Sequence, residues 1–101
     1  MKYEILKTDT FDKWLSKLKD KQARTAILMR IIRAENGNLG DVKSVGDNVF
    51  EMRIFVGKGY RVYYTLNNGK IILLLSGGNK DTQKQDINKA KDLLKVLELK
   101  E

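Results

Sequence analysis

The sequence predicts a single α+β domain over residues 1–101, a small antiparallel-rich sheet packed against a helical hairpin and a C-terminal helix. Three observations predict it. From Val45 to Ser76, two runs in which charged and apolar residues alternate and a third that is unbroken and apolar are separated by Gly57-Lys58-Gly59 and Asn67-Asn68-Gly69, the mark of successive strands joined by tight turns. Apolar residues recur at helical spacing before that region and again after it. The 101 residues contain no proline, no cysteine and no low-complexity tract, as befits one core without staples.

Taken in order, residues 2–7 (KYEILK) alternate and are expected to form an edge strand. Thr10 or Asp9 is placed to cap a helix over Phe11–Leu18, whose apolar face is Phe11, Trp14, Leu15 and Leu18. A second helix over Lys21–Ala34 presents Ala23, Ile27, Leu28, Ile31 and Ile32. The break at 19–21 is short, so the two helices are expected to form an antiparallel hairpin. Asn36-Gly37 and Gly40 end the helix and open a loop. Strands are expected near 48–56, 60–67 and 70–76, with the uninterrupted apolar run Ile71–Leu75 buried on both faces. Thr82 with Gln85 reads as a capping box for a last helix over 82–98, with Ile87, Ala90, Leu94 and Leu97 as its buried stripe. The expected order is β-α-α-β-β-β-α.

Strand parity then places the chemistry. Phe50, Met52 and Ile54 point one way, Glu51 and Arg53 the other; Tyr60, Val62 and Tyr64 point inward, leaving Arg61 and Tyr63 beside Glu51 and Arg53. A sheet face that gathers two arginines, a carboxylate and a tyrosine suits a phosphodiester. It equally suits a solvated cross-strand ion-pair ladder. The formal net charge of +7 points to an anionic partner. The lysines at 13, 17, 19 and 21 fit either a solvated helix face or contact with nucleic acid.

With no histidine and no cysteine, the usual general base, the usual nucleophile and thiolate zinc sites all drop out. No Asp/Glu cluster has metal-ligand spacing, and no cofactor is expected. Ser76-Gly77-Gly78-Asn79-Lys80 lacks the spacing of a phosphate loop. The remaining reactive groups are Arg, Lys, Glu and Tyr. They suit RNA cleavage through the substrate's own 2′-hydroxyl, which needs no enzyme nucleophile and no metal. No apolar run reaches the length of a membrane span and MKYEILKTD has no signal-peptide core, so a soluble cytoplasmic protein is expected.

The order of elements, with FEMRIFVGKGYRVYY and LLLSGGNKDTQKQDI, closely resembles the RelE/HigB superfamily of toxins from type II toxin–antitoxin modules, in particular its addiction-module killer proteins. The likeness runs from about Phe11 to Leu97. It implies a RelE-like fold and an endoribonuclease that cuts messenger RNA on the ribosome. It also implies a cognate antitoxin, commonly a helix-turn-helix protein, with operator DNA bound only through the complex. By the same resemblance Arg61 holds the scissile phosphate, Arg53 faces it from the neighbouring strand, Lys80 stabilises or protonates the leaving oxygen, and Glu51 is the candidate base. Lys43, Lys58 and Tyr63 are the implied RNA contacts. Several ribosome-dependent members carry a C-terminal tyrosine where this chain offers Asp86, and Tyr63 is the expected substitute. Two alternatives stay open: a gyrase-inhibiting toxin of the same fold, and a non-catalytic RNA- or protein-binding domain.

Overall fold

The computed structural model describes residues 2–99. It runs β1 (Glu4–Lys7), α1 (Asp9–Lys17), α2 (Lys21–Glu35), β2 (Val42–Gly46), β3 (Val49–Ile54), β4 (Tyr60–Asn67), β5 (Ile71–Asn79), a 3-10 turn at Lys80–Thr82, and α3 (Gln83–Leu99). The five strands form one sheet in the order β1-β5-β4-β3-β2. β1 runs parallel to β5 at one edge, the two helices carry the chain across to β2 at the other, and the remaining pairings are antiparallel.

The architecture matches the expected α+β class, with one strand more than the sequence suggested. β2, VKSVG, reads as loop in the sequence because its apolar residues are few and no Asn-Gly follows it. Its turn is nevertheless a mirror-image hairpin turn: Asp47 and Asn48 both have positive φ, 53° and 64°, as such two-residue loops demand. The Asn68-Gly69 turn before β5 repeats this geometry, with φ of 55° and 67°. The helix caps also differ from expectation. α1 is capped by Thr8, whose hydroxyl accepts from the Phe11 N–H and donates to the Leu75 carbonyl. Asn79 rather than Thr82 begins the last helical segment, and the two residues satisfy each other reciprocally. In both places the residue next to the strand wins, because its backbone is already extended as an N-cap requires.

Two apolar layers sandwich the sheet. On one face Met52, Ile54, Tyr60, Val62, Tyr64, Ile72 and Leu74 pack against Phe11 of α1 and Ala23, Ile27 and Ala34 of α2. On the other, Val49, Tyr63 and Leu75 pack against Ala90 and Leu94 of α3. β5 serves both layers, as its unbroken apolar run predicted. Opposite Tyr63 and Tyr64 its register skips Leu75, a bulge that turns both Leu75 and Ser76 toward α3. Of the expected α2 face, Leu28 and Ile32 lie exposed, because α2 meets the core along Ala23, Ile27 and Ala34, with Ala26 and Ile31 packed beside them.

The buried phenols give stability a pH limit. Burial, then the neighbouring Tyr3, pushes Tyr64 up to about 12 from an ordinary 10.0. Burial, then the charges of Glu51 and Asp86, pushes Tyr63 up as well. The folded state therefore holds both protons more tightly than the unfolded chain. Their contribution is whole below pH 10 and is lost as pH rises toward the folded values, about 3 kcal/mol for a two-unit shift such as that of Tyr64. Urea midpoints are expected to fall between pH 9 and 11.5, less steeply for Tyr64→Phe; equal slopes for variant and wild type would refute the assignment.

Candidate functional site

The β3–β4 hairpin sets Glu51 opposite Tyr63 and Arg53 opposite Arg61, the juxtaposition that strand parity anticipated. What parity does not show is α3. It crosses this face over the Glu51–Tyr63 row and stops short of the Arg53–Arg61 row. The first pair is therefore core and the second is the floor of an open groove. That groove, about 330 Å³, is lined by Arg53, Ile54, Phe55, Gly57, Lys58, Gly59, Tyr60, Arg61 and Lys80. Among the described residues, four cations border it and no carboxylate does.

Each cation is placed by the backbone beneath it. Arg53 donates from Nη2 to Asp41 at 2.8 Å. That hydrogen bond, then the carboxylate's charge, raises the guanidinium above its ordinary range and keeps it a fixed cation. The Asp41 loop is in turn braced by Arg30 of α2, which donates to the carbonyls of Arg53 and Leu39. Gly40, at φ 70°, lets that guanidinium lie against the loop where a Cβ would collide with it. The Lys80 N–H donates to the Gly59 carbonyl at 2.9 Å, which ties the end of β5 to the turn that carries Lys58.

Arg61 is held from below. Its Nε lies 3.6 Å from Glu51 Oε2, an ion pair longer than a hydrogen bond. The same carboxylate oxygen accepts from Gln83 Nε2 at 2.7 Å. Glu51 is 0% exposed, so a carboxylate expected as the base is instead an anchor behind Arg61. Removing it from solvent demands a charge partner, and Arg61 is that partner.

Two further expectations are corrected. Tyr63 is 0% exposed, packed under α3 with Leu75 and Leu94, and presents no ring to a base. Lys43 stands on β2 opposite Glu51, exposed but outside the groove, rather than in a loop. Arg61, Arg53, Lys58 and Lys80 are gathered as expected. Arg30, Asp41, Gln83 and Phe55 belong to the same site and were not singled out. Of these, Asp41 pairs with Arg53 across a separation of 12 residues, which no local pattern marks.

The glycines of the Ser76–Lys80 segment explain its sequence. A Cβ on Gly77 would enter the ring of Trp14 in α1, and one on Gly78 would enter the carboxylate of Asp86 in α3. Both helices thus rest directly on β5 backbone. Asp86, buried where the likeness looked for a tyrosine, accepts from the Thr82 hydroxyl.

This arrangement is the fold of RelE toxins. The chain is similar to an arginine-substituted form of the Escherichia coli toxin RelE in its free state (TM-score 0.71, 17% identity, 91% of this chain and 98% of that one). It is also similar to the RelBE2 toxin–antitoxin complex of Mycobacterium tuberculosis (TM-score 0.63, 18% identity, 79% and 100%). A third likeness is to the RelB–RelE antitoxin–toxin complex of Methanococcus jannaschii (TM-score 0.62, 24% identity, 80% and 96%). By sequence, residues 13–95 match the phage-derived Gp49-like proteins, and the chain belongs to that family. An uncharacterized protein of Haemophilus influenzae is 52% identical over 99 residues, 98% of this chain and 100% of the relative.

Proposed function

We propose that this chain is the toxin of a type II toxin–antitoxin module, a metal-independent endoribonuclease that cuts messenger RNA on the translating ribosome. The observation that carries the reading is the groove bordered by Arg53, Lys58, Arg61 and Lys80 with no carboxylate on its wall among the described residues. A phosphodiester entering it meets two guanidiniums on adjacent strands, and these make bidentate, charge-assisted contacts to nonbridging oxygens. The substrate's 2′-oxygen attacks the phosphorus, and the pentavalent phosphorane gathers charge that the arginines stabilise. The bond to the 5′-oxygen breaks, leaving a 2′,3′-cyclic phosphate and a 5′-hydroxyl.

Lys80, at the end of β5, is the groove's proton donor to the leaving oxygen. Glu51 lies behind Arg61 and cannot reach the 2′-hydroxyl, so that proton passes to water. Arg61 is preorganised by Glu51 and Gln83, and Arg53 by Asp41, so neither needs to reorganise as the charge develops. Among the described residues no three carboxylates come together as metal ligands, and the donors present suit phosphate rather than a cation.

The solved relatives include toxins seated in antitoxin complexes, which supports a cognate antitoxin here. A helix-turn-helix antitoxin would account for silencing by covering the groove and, through the complex, for operator binding. The test is incubation of a defined messenger with purified protein and EDTA, with and without programmed ribosomes. Cleavage confined to the ribosomal lane, giving 5′-hydroxyl ends, is the expected result. No cleavage in either lane overturns the nuclease reading.

A further inference from the structure

We infer that Phe55 is a stacking platform for a nucleobase adjoining the phosphate held in the groove, a proposal that rests on the RNA reading above. Phe55 is the residue after β3, on the groove wall, and is 75% exposed. The other aromatic side chains are buried or partly buried, so the sole fully presented ring stands beside the cationic cluster. An isolated exposed apolar residue is ordinary on a protein surface; its place among the cations is what distinguishes this one. Arg53, which the hydrogen bond to Asp41 fixes, has its guanidinium carbon 6.0 Å from the Phe55 ring centroid, within cation–π range. The guanidinium thus biases the ring's position while the rest of the ring stays open to solvent.

Single-stranded nucleic acid is bound by this combination, a basic groove along the backbone with aromatic faces for the bases. No aromatic residue follows Tyr64 in the sequence, and Tyr63 is in the core, so no other described ring at the groove is free to stack. Every base offers a π face, so the contact would position the RNA without selecting its sequence strongly.

The test uses a short RNA made uncleavable by 2′-O-methylation, free and in the ribosomal A site, against the wild type, Phe55→Ala, Phe55→Trp and Arg61→Ala. Phe55→Ala is expected to weaken binding about tenfold, with Phe55→Trp restoring it. The salt dependence should stay unchanged, because no phosphate contact is lost. Replacing the base beside the central phosphate by an abasic site should cost the wild type as much as Phe55→Ala does, and cost that variant nothing further. If Phe55→Ala binds like wild type while Arg61→Ala does not, stacking is overturned and the phosphate clamp stands. If the wild type binds neither form of the RNA, or Arg61→Ala binds as well as wild type, clamp and stacking fall together. Loss of antitoxin binding by Phe55→Ala with RNA affinity intact would assign the ring to the partner protein and also overturn the proposal.

Discussion

Replacing Arg61 by alanine is expected to reduce RNA cleavage by a factor of about 100 to 1,000 or more, the range seen when one preorganised donor is removed from a developing oxyanion. Of the groove's cations Arg61 has the most fixed surroundings: its side chain is 12% exposed and rests on a carboxylate that is itself fully buried. The same anchoring complicates the experiment. Without Arg61, Glu51 is left as a buried charge with Gln83 alone beside it, and losing one partner of such a pair costs about 3–5 kcal/mol. A drop in activity would then report unfolding as well as lost chemistry. The informative series is therefore Arg61→Ala, Glu51→Gln and the double substitution, each followed by single-turnover cleavage and by urea unfolding. Glu51→Gln should keep Arg61 in the groove and retain most of the rate. The double variant should regain stability relative to Arg61→Ala yet stay inactive. If the double variant cleaves as fast as Glu51→Gln, Arg61 does not hold the phosphate.

That series also marks how far the sequence could be read. The pairing of Glu51 with Tyr63 and of Arg53 with Arg61 follows from the two-residue period of strands and from turns of fixed length, so it was legible. Which pair meets solvent depends on where α3 crosses the sheet, a contact between segments more than 20 residues apart that no local pattern encodes. The sequence therefore offers Glu51 as a base and Tyr63 as a base-stacking ring, when both lie under that helix. The exposed positions of Leu28 and Ile32 have a similar cause: helical spacing identified them as apolar but could not show that α2 meets the sheet along a narrower line. Phe55 escaped notice because a phenylalanine at the end of an alternating run looks the same whether it enters the core or leaves it. Strand parity marks Arg61 and a likeness to a family marks Lys80; the Arg30–Asp41–Arg53 bracing has no such mark, since it joins a helix, a loop and a strand.

Gly78→Ala is expected to destabilise the fold by about 3 kcal/mol, at the upper end of the cost of overfilling a packed interior. The position has no left-handed backbone to protect; the demand is for space. Gly78 pairs with Arg61 on β4 and lies directly under Asp86, whose carboxylate occupies the place of the missing Cβ. Asp86 is buried and receives the Thr82 hydroxyl, so it cannot swing aside without opening the first turns of α3. Those turns also carry Gln83, which bonds Glu51 behind Arg61. A methyl group at Gly78 should therefore loosen the helix and Arg61 together. The collision has a specific signature. Asp86→Ala alone loses a buried hydrogen bond, but in the Gly78→Ala background it also removes the obstacle, so the double variant should be more stable than the sum of the single losses predicts. Urea midpoints for the four proteins measure that coupling. Strict additivity, or a Gly78→Ala protein as stable as wild type, would mean that α3 does not rest on β5 at this glycine, and the account of how Arg61 is held from behind would fail with it.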